Sequence, residues 1–284
     1  MKIITVLIPF YNREAYLKEN IDSVLRQSFP DFELFALDDG STDNGAAIIQ
    51  SYADPRIKYI PCTHDYVGTL NKGIELCESE YIALIDSDDI MQPDRLQIQY
   101  DFMESHRDIA VCGGYMQAFG MNTVSCKISL TYIEILKDFL LYSPMLNPTC
   151  FIRRKILMDN HIRYQYGYNY SIDYKLWSDI AKVGKLENIP EVLTLYRTHP
   201  EQVSKKYIGQ CMEGGRKVKF EMLEYFLSLL KKDNEIALIV KKDLIPAMDN
   251  LGEMGITFRE KSFFNFMYEL INGLLNKGVI EIPH

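Results

Sequence analysis

The sequence has little that would staple, anchor or charge it. Its six cysteines, at 62, 77, 112, 126, 150 and 211, form no Cys-x-x-Cys pair. A chain of 284 residues buries enough surface to stand without disulfide or metal staples, so reduced cytosolic thiols are expected. No run approaches the ~18 apolar residues of a membrane span. The opening run Ile3-Ile4-Thr5-Val6-Leu7-Ile8 is interrupted by Thr5, stops at Pro9 and meets no small-residue cleavage site, so it does not read as a secretory leader. Positive charge is in deficit, 31 Lys+Arg against 39 Asp+Glu for a net charge of −8. That argues against a nucleic-acid partner, which calls for a basic stripe, but not against a small phosphorylated ligand, which needs only local positive or metal charge. Repeats and low-complexity tracts are absent, and 47% hydrophobic with 25% charged residues excludes a disordered chain. What is present is a globular composition sized for one large domain, or one domain and a smaller appendage, expected in the cytoplasm with peripheral contact to the inner face of a membrane left open.

The first half alternates strand and helix patterns. Ile3 to Ile8 is a nearly continuous apolar run, as a strand buried on both faces would be. Leu17, Ile21, Val24 and Leu25 then fall on one helical stripe. Phe32–Leu37, Ile57–Ile60 and Tyr81–Ile85 read as further strands, with helices through Ala46, Ile49 and Tyr52 and through Leu70, Ile74 and Cys77. Such β–α repetition predicts an α/β fold, a mainly parallel sheet with helices on both faces. Ile109–Cys112 and Thr149–Ile152 suggest strands, and Pro93–Ser105 and Ile172–Val183 helices. Met222, Leu223, Phe226, Leu229 and Leu230 make one late stripe, and Phe263, Phe264, Met267, Leu270, Ile271, Leu274 and Leu275 another, which places a C-terminal helical appendage at 211–284. That region carries ten Lys+Arg against eleven Asp+Glu, not the polybasic pattern that anionic lipids attract; it is expected to pack on the preceding domain.

In open α/β sheets ligands sit beyond the carboxyl ends of the strands. The polar clusters fall there: Pro9-Phe10-Tyr11-Asn12, Asp38-Asp39-Gly40-Ser41-Thr42-Asp43 and Asp86-Ser87-Asp88-Asp89. In an extended segment residues i and i+2 share a side, so Asp86 and Asp88 are expected to converge. Convergent carboxylates repel unless a cation lies between them, and hard oxygen ligands suit Mg²⁺ or Mn²⁺, the former commonly sharing its shell with substrate phosphates. An acidic turn capping the helix near Pro93 is the plainer reading. The second cluster likewise reads as a turn and helix cap, which leaves unexplained why two acids end a buried strand; a carboxylate there could accept hydrogen bonds from a base or ribose.

Taken in order, these clusters, with Gly68, Asn71-Lys72-Gly73, Pro93-Asp94-Arg95-Leu96, Ile172-Asp173-Tyr174-Lys175-Leu176-Trp177 and Tyr196-Arg197-Thr198-His199, resemble the signature of glycosyltransferase family 2 on a GT-A fold, over about residues 3 to 204. The resemblance implies an inverting, metal-dependent, non-processive transfer of one sugar from a UDP-sugar to a glycan or lipid-linked acceptor, in bacterial surface polysaccharide or glycolipid synthesis. It implies a domain at 1–210, with a nucleotide-binding part to about 110 and an acceptor-side part at 111–210. Pro9, Tyr11, Asn12 and Glu14 would line the nucleotide pocket, Asp39 read the uracil edge, and Asn71 lie near the donor ribose or sugar. Asp86 and Asp88 would be the Asp-x-Asp pair, Asp88 ligating Mn²⁺ or Mg²⁺. Asp173 would be the general base, and Arg197 and His199 would close over the diphosphate, His199 approaching the metal.

Two departures bear on this. The family commonly has Glu-Asp where this chain has Ile172-Asp173, and the Gln-x-x-Arg-Trp motif of processive synthases is absent. Asp173 also suits the first turn of a helix, and His199 an ordinary loop. Two other classes compete. A nucleotidyltransferase would want a glycine-rich, basic loop after the first strand, where this chain has Pro9-Phe10-Tyr11-Asn12-Arg13. A receiver-like phosphoacceptor module would account for Asp38-Asp39 but needs about half this length and no second acidic cluster.

Overall fold

The computed structural model describes residues 2–229, 242, 257–276, 280 and 282. The chain begins with β1 (Ile4–Phe10), α1 (Glu14–Leu25), β2 (Phe32–Asp38), α2 (Gly45–Gln50), β3 (Ile57–Pro61), α3 (Tyr66–Leu76) and β4 (Tyr81–Leu84). These strands form a parallel half-sheet in the order β3-β2-β1-β4. Every residue of β1 and β2 is buried, and successive residues serve opposite layers. Val6 and Ile8 pack with Leu17 and Ile21 of α1, whereas Leu7 packs with Leu70 and Ile74 of α3. β1 runs two residues past the expected end at Ile8. Its ladder with β4 stops at Leu7, so Pro9 lies beyond that pairing.

The second half is β5 (Ile90–Met91), α4 (Arg95–Ser105), β6 (Ile109–Gly120), β7 (Ser125–Cys126), α5 (Tyr132–Asp138), β8 (Phe151–Arg153), α6 (Arg154–Asp159), α7 (Ile172–Ala181), β9 (Lys185–Thr198), α8 (Val203–Lys206), α9 (Ile208–Ser228) and α10 (Thr257–Asn276). Its strands extend the same sheet, β8 antiparallel to β4, then β6, β9 and β5, with β7 on β6. The sheet is therefore mixed: its first four strands are parallel, and beyond them β8, β7 and β5 pair antiparallel while β6 and β9 run parallel. β9 and β5 had no strand reading in sequence. β9 carries Glu187, Asn188, Glu191 and Arg197 among its apolar residues, which breaks any regular alternation.

The C-terminal helices reach the core. Val218, Met222 and Phe226 of α9 and Met267 and Ile271 of α10 are fully buried in one cluster with Trp177 of α7. α9 starts at Ile208, three residues before the expected boundary. Leu230, expected in the first late stripe, and residues 230–241 and 243–256 lie outside the described residues. All six cysteines are unpaired thiols. Among the described residues no helix is long and apolar enough to cross a membrane.

Candidate active site

The carboxyl ends of β1, β2 and β4 open onto one cleft of about 660 Å³, closed on the far side by the start of α7, α8 and the first turn of α9. Pro9, Tyr11, Asn12, Asp39, Asp86, Asp88 and Asp173 all line it. Residues far apart in sequence thus meet because parallel strands deliver their following loops to one rim.

Asp86 to Asp89 is a turn rather than an extended segment, the Asp89 amide donating to the Asp86 carbonyl at 3.1 Å. Buried Asn20 of α1 pins this turn by donating from Nδ2 to the carbonyls of Asp86 and Asp89, at 2.9 and 2.8 Å. Both Asp86 and Asp88 reach the cleft nonetheless. Burial, then the charges of Asp88 and Asp173, push the Asp86 carboxyl up to about 7, against a hydrogen bond from Asn147. Asp89 is fully buried behind them; burial and its two acidic neighbours raise it well above the usual range, and its Oδ2 has no hydrogen-bond partner among the described residues. Its Oδ1 accepts from the Arg197 amide at 2.9 Å.

The end of β9 buttresses this acidic turn. The Arg197 guanidinium donates to the Asp88 carbonyl at 2.7 Å and to Glu19, and lies over the rings of Tyr16 and Phe119. His199 Nε2 meets Asp88 Oδ2 at 2.9 Å, while its buried Nδ1 has no hydrogen-bond partner among the described residues. Arg197 and His199 therefore touch the Asp-x-Asp turn from behind and are not part of the cleft lining. Behind β4 the wholly buried Arg95 donates to the carbonyls of Leu84, Pro148 and Cys150, to Thr194 Oγ1 and to Gln99 Oε1. Burial pulls its guanidinium down to about 10. Arg95 fastens the end of β4, just before Asp86, to β9 and to the 147–150 segment.

On the opposite wall Asp173 stands in the first turn of α7, half-buried, and burial pushes its carboxyl up to about 6, opposed by the Tyr174 amide, which donates to it at 2.8 Å. Tyr164 lines the cleft nearby, and burial, then Tyr66 and Asp173, hold its phenol well above its ordinary range, so it remains an O–H donor.

At the β2 end, Asp39 Oδ1 accepts from the Asp65 amide at 2.8 Å and Thr69 Oγ1 at 2.6 Å. Its Oδ2 pairs with His64 Nδ1 at 2.9 Å, and the exposed His64 ring stacks on Tyr11 at 4.2 Å. Asn12 takes a left-handed backbone, φ 51°, and its Oδ1 accepts from the Thr42 and Asp43 amides, knitting the first loop to the second. Glu14 and Asn71 do not line the cleft. Glu14 accepts from the amide and side chain of Asn44, joining α1 to α2. Asn71 exchanges two bonds with the Tyr164 backbone, each 2.9 Å. Arg13, His64, Tyr66, Tyr164, Tyr170 and Tyr207 line the cleft without having been singled out in sequence. Lone tyrosines and a lone histidine in loops carry no spacing signal; only the fold collects them.

Among the described residues no group of three His, Cys, Asp or Glu side chains is arranged to hold a metal ion. Asp86 and Asp88 still suit one. They are two hard-oxygen groups in one cleft, the Asp88 charge helping to raise Asp86, with the Arg13 guanidinium Nε 4.0 Å and His199 Nε2 2.9 Å from Asp88 Oδ2. Mg²⁺ is usually bound by one or two carboxylates and completed by substrate oxygens and water.

Known proteins agree with this architecture. An uncharacterised glycosyltransferase of Haemophilus influenzae is 28% identical over 99% of this chain and 90% of its own length. Another, from Methanocaldococcus jannaschii, is 31% identical over 69% of this chain and 70% of its length. Chondroitin synthase of Escherichia coli is 28% identical over 78% of this chain, which spans 32% of that longer protein. S. aureus TarS residues 1–349 in complex with UDP-GlcNAc superimpose with a TM-score of 0.65 at 18% identity, covering 100% of this chain and 97% of that one, which places the chain on the GT-A fold. The family model "Glycosyl transferase family 2" matches residues 5–169, more than half of the chain. The chain belongs to glycosyl transferase family 2, and is a glycosyltransferase.

Proposed function

We propose that the protein is an inverting, non-processive transferase that moves one sugar from a UDP-sugar to a hydroxyl of a glycan or lipid-linked saccharide, acting in the cytoplasm of a bacterium in surface polysaccharide or glycolipid synthesis. The observation that carries this reading is that Asp39, Asp86, Asp88 and Asp173, from three separate segments of the chain, face one cleft. The UDP assignment draws support from TarS, crystallised with UDP and UDP-GlcNAc. In the proposed division residues 1–210 form the transferase, nucleotide-binding to about 110 and acceptor-side after it, with 211–284 as its helical cover.

The nucleobase rests by Tyr11 and His64, with Pro9 and Asn12 shaping the floor and Asp39 Oδ2 accepting the base N–H. Asp88, with Asp86, holds a divalent cation, Mn²⁺ or Mg²⁺, which when bound supplies Lewis-acid stabilisation to the departing diphosphate. A mannosyltransferase of Pyrobaculum calidifontis with the same fold, TM-score 0.56, is known in complex with GDP-Man and Mn²⁺. His199 and Arg197 hold Asp88 in place; Glu14 and Asn71 serve the site from behind, fixing the α1–α2 junction and the Tyr164 segment. Asp173 takes the proton from the acceptor hydroxyl as that oxygen attacks the anomeric carbon, an effect worth ~10²–10⁴-fold. With one base opposite the leaving group, a single displacement inverts the centre, and no covalent nucleophile is needed. The test is UDP release from a panel of UDP-sugars with Mn²⁺, and the anomeric configuration of any product. Pyrophosphate release from UTP and a sugar phosphate would instead support nucleotidyl transfer.

A further inference from the structure

Six tyrosines line the cleft, and two of them, Tyr170 and Tyr207, lie apart from the nucleotide end. Their rings stack on each other with centroids 4.3 Å apart and planes 13° apart, and Tyr170 is 42% exposed. Tyr170 sits in the 3-10 turn Asn169–Ser171, three residues before Asp173, and Tyr207 at the junction of α8 and α9. The pair therefore stands beside the carboxylate proposed as base, while the Tyr11–His64 stack lies by Asp39.

The turn that carries Tyr170 is tied to α9 by hydrogen bonds and close packing. Asn169 has a left-handed backbone, φ 48°, and donates to Glu213 at 3.3 Å. Ser171 Oγ donates to the Cys211 carbonyl at 2.7 Å, and Lys217 Nζ to the Gly167 carbonyl at 2.8 Å. Gly214 packs so close that a Cβ there would lie 2.0 Å from the Tyr168 carbonyl oxygen. Flat rings with few rotatable bonds offer large contact area at low entropy cost; the two rings cover each other's inner faces, so Tyr207 backs the more exposed Tyr170, whose remaining surface joins an apolar ring to a polar hydroxyl. A pyranose has the same division, apolar C–H faces edged by hydroxyls. Glu201 and Lys206 line the same cleft, Lys206 Nζ lying 5.2 Å from the Tyr207 ring centroid, so an acceptor and a donor of hydrogen bonds stand by the pair.

We propose that Tyr170 and Tyr207 form a stacking subsite for a sugar ring of the acceptor, so that the acceptor is recognised as a saccharide beside Asp173 rather than through a lipid or peptide portion. The proposal rests on the transferase reading above. The test is saturation-transfer NMR with lactose, maltose and N,N′-diacetylchitobiose on protein saturated with UDP and Mn²⁺, for wild type, Tyr170→Ala, Tyr207→Ala and Tyr170→Phe, each checked for UDP affinity and thermal unfolding. Pyranose C–H protons of at least one disaccharide should receive saturation, and each Ala variant should weaken binding at least about tenfold, while Tyr170→Phe, which keeps the ring, stays within about threefold. A wild type that binds UDP yet transfers saturation to none of the three sugars overturns the subsite, as do Ala variants that bind them as wild type does. A wild type that binds no UDP overturns the donor reading instead.

Discussion

Replacing Asp173 by asparagine should abolish transfer and, at neutral pH, make the protein more stable. Burial raises the Asp173 carboxyl from 3.8 to about 6 in the folded protein. A raised acid binds its proton more tightly folded than unfolded, so ionising it costs folding free energy. The cost is absent below about pH 4, grows as pH rises to about 6, and is constant above that. At 1.36 kcal/mol for each pKa unit it amounts to about 2–3 kcal/mol at pH 7. The substituted amide keeps an oxygen for the Tyr174 N–H and carries no charge, so urea titrations in EDTA should show Asp173→Asn more stable than wild type by about that amount at pH 7, and by nearly nothing at pH 4. The same shift predicts kcat/KM falling about tenfold between pH 7 and pH 5 as the base is protonated. A variant as active as wild type, or one with a stability difference that does not change with pH, would refute the reasoning.

Arg95→Met removes the donor from Leu84 O, Thr194 Oγ1 and Gln99 Oε1, while Pro148 O keeps the Thr194 hydroxyl and Cys150 O the Leu84 amide; with ~1–3 kcal/mol lost for each unsatisfied group, urea unfolding should show a loss of at least about 3 kcal/mol. Gly214→Ala forces α9 away from the Tyr168 carbonyl, costing about 1–3 kcal/mol as overpacking does; kcat should fall while UDP affinity, measured by calorimetry, stays at the wild-type level.

The parallel half-sheet was legible because β1 and β2 are buried on both faces and so read as unbroken apolar runs. The acidic loops were legible because each follows such a run. Charged residues set into β9, and the two-residue length of β5, hid the strands that close the sheet behind the Asp-x-Asp turn. Spacing also misjudged how Asp86 and Asp88 come together: they share the cleft through a turn tied down by Asn20, not through an extended segment. Glu14 and Asn71 show a further limit. A motif locates a residue near a site, but whether its side chain faces the ligand or braces the wall depends on partners, Asn44 and the Tyr164 backbone, that no local pattern specifies. Arg95 is the extreme case, a charged residue whose total burial follows only from five acceptors converging on it from β4, α4, β9 and the 147–150 segment.

Calorimetric titration of UDP with and without Mn²⁺, on wild type and Asp88→Asn, bears most directly on the proposed donor site. Mn²⁺ should tighten UDP binding to wild type, and Asp88→Asn should lose at least about tenfold of that gain, or about 1.4 kcal/mol. Folded wild-type protein that binds no UDP, or binds it equally well in both proteins and without regard to Mn²⁺, would contradict the account.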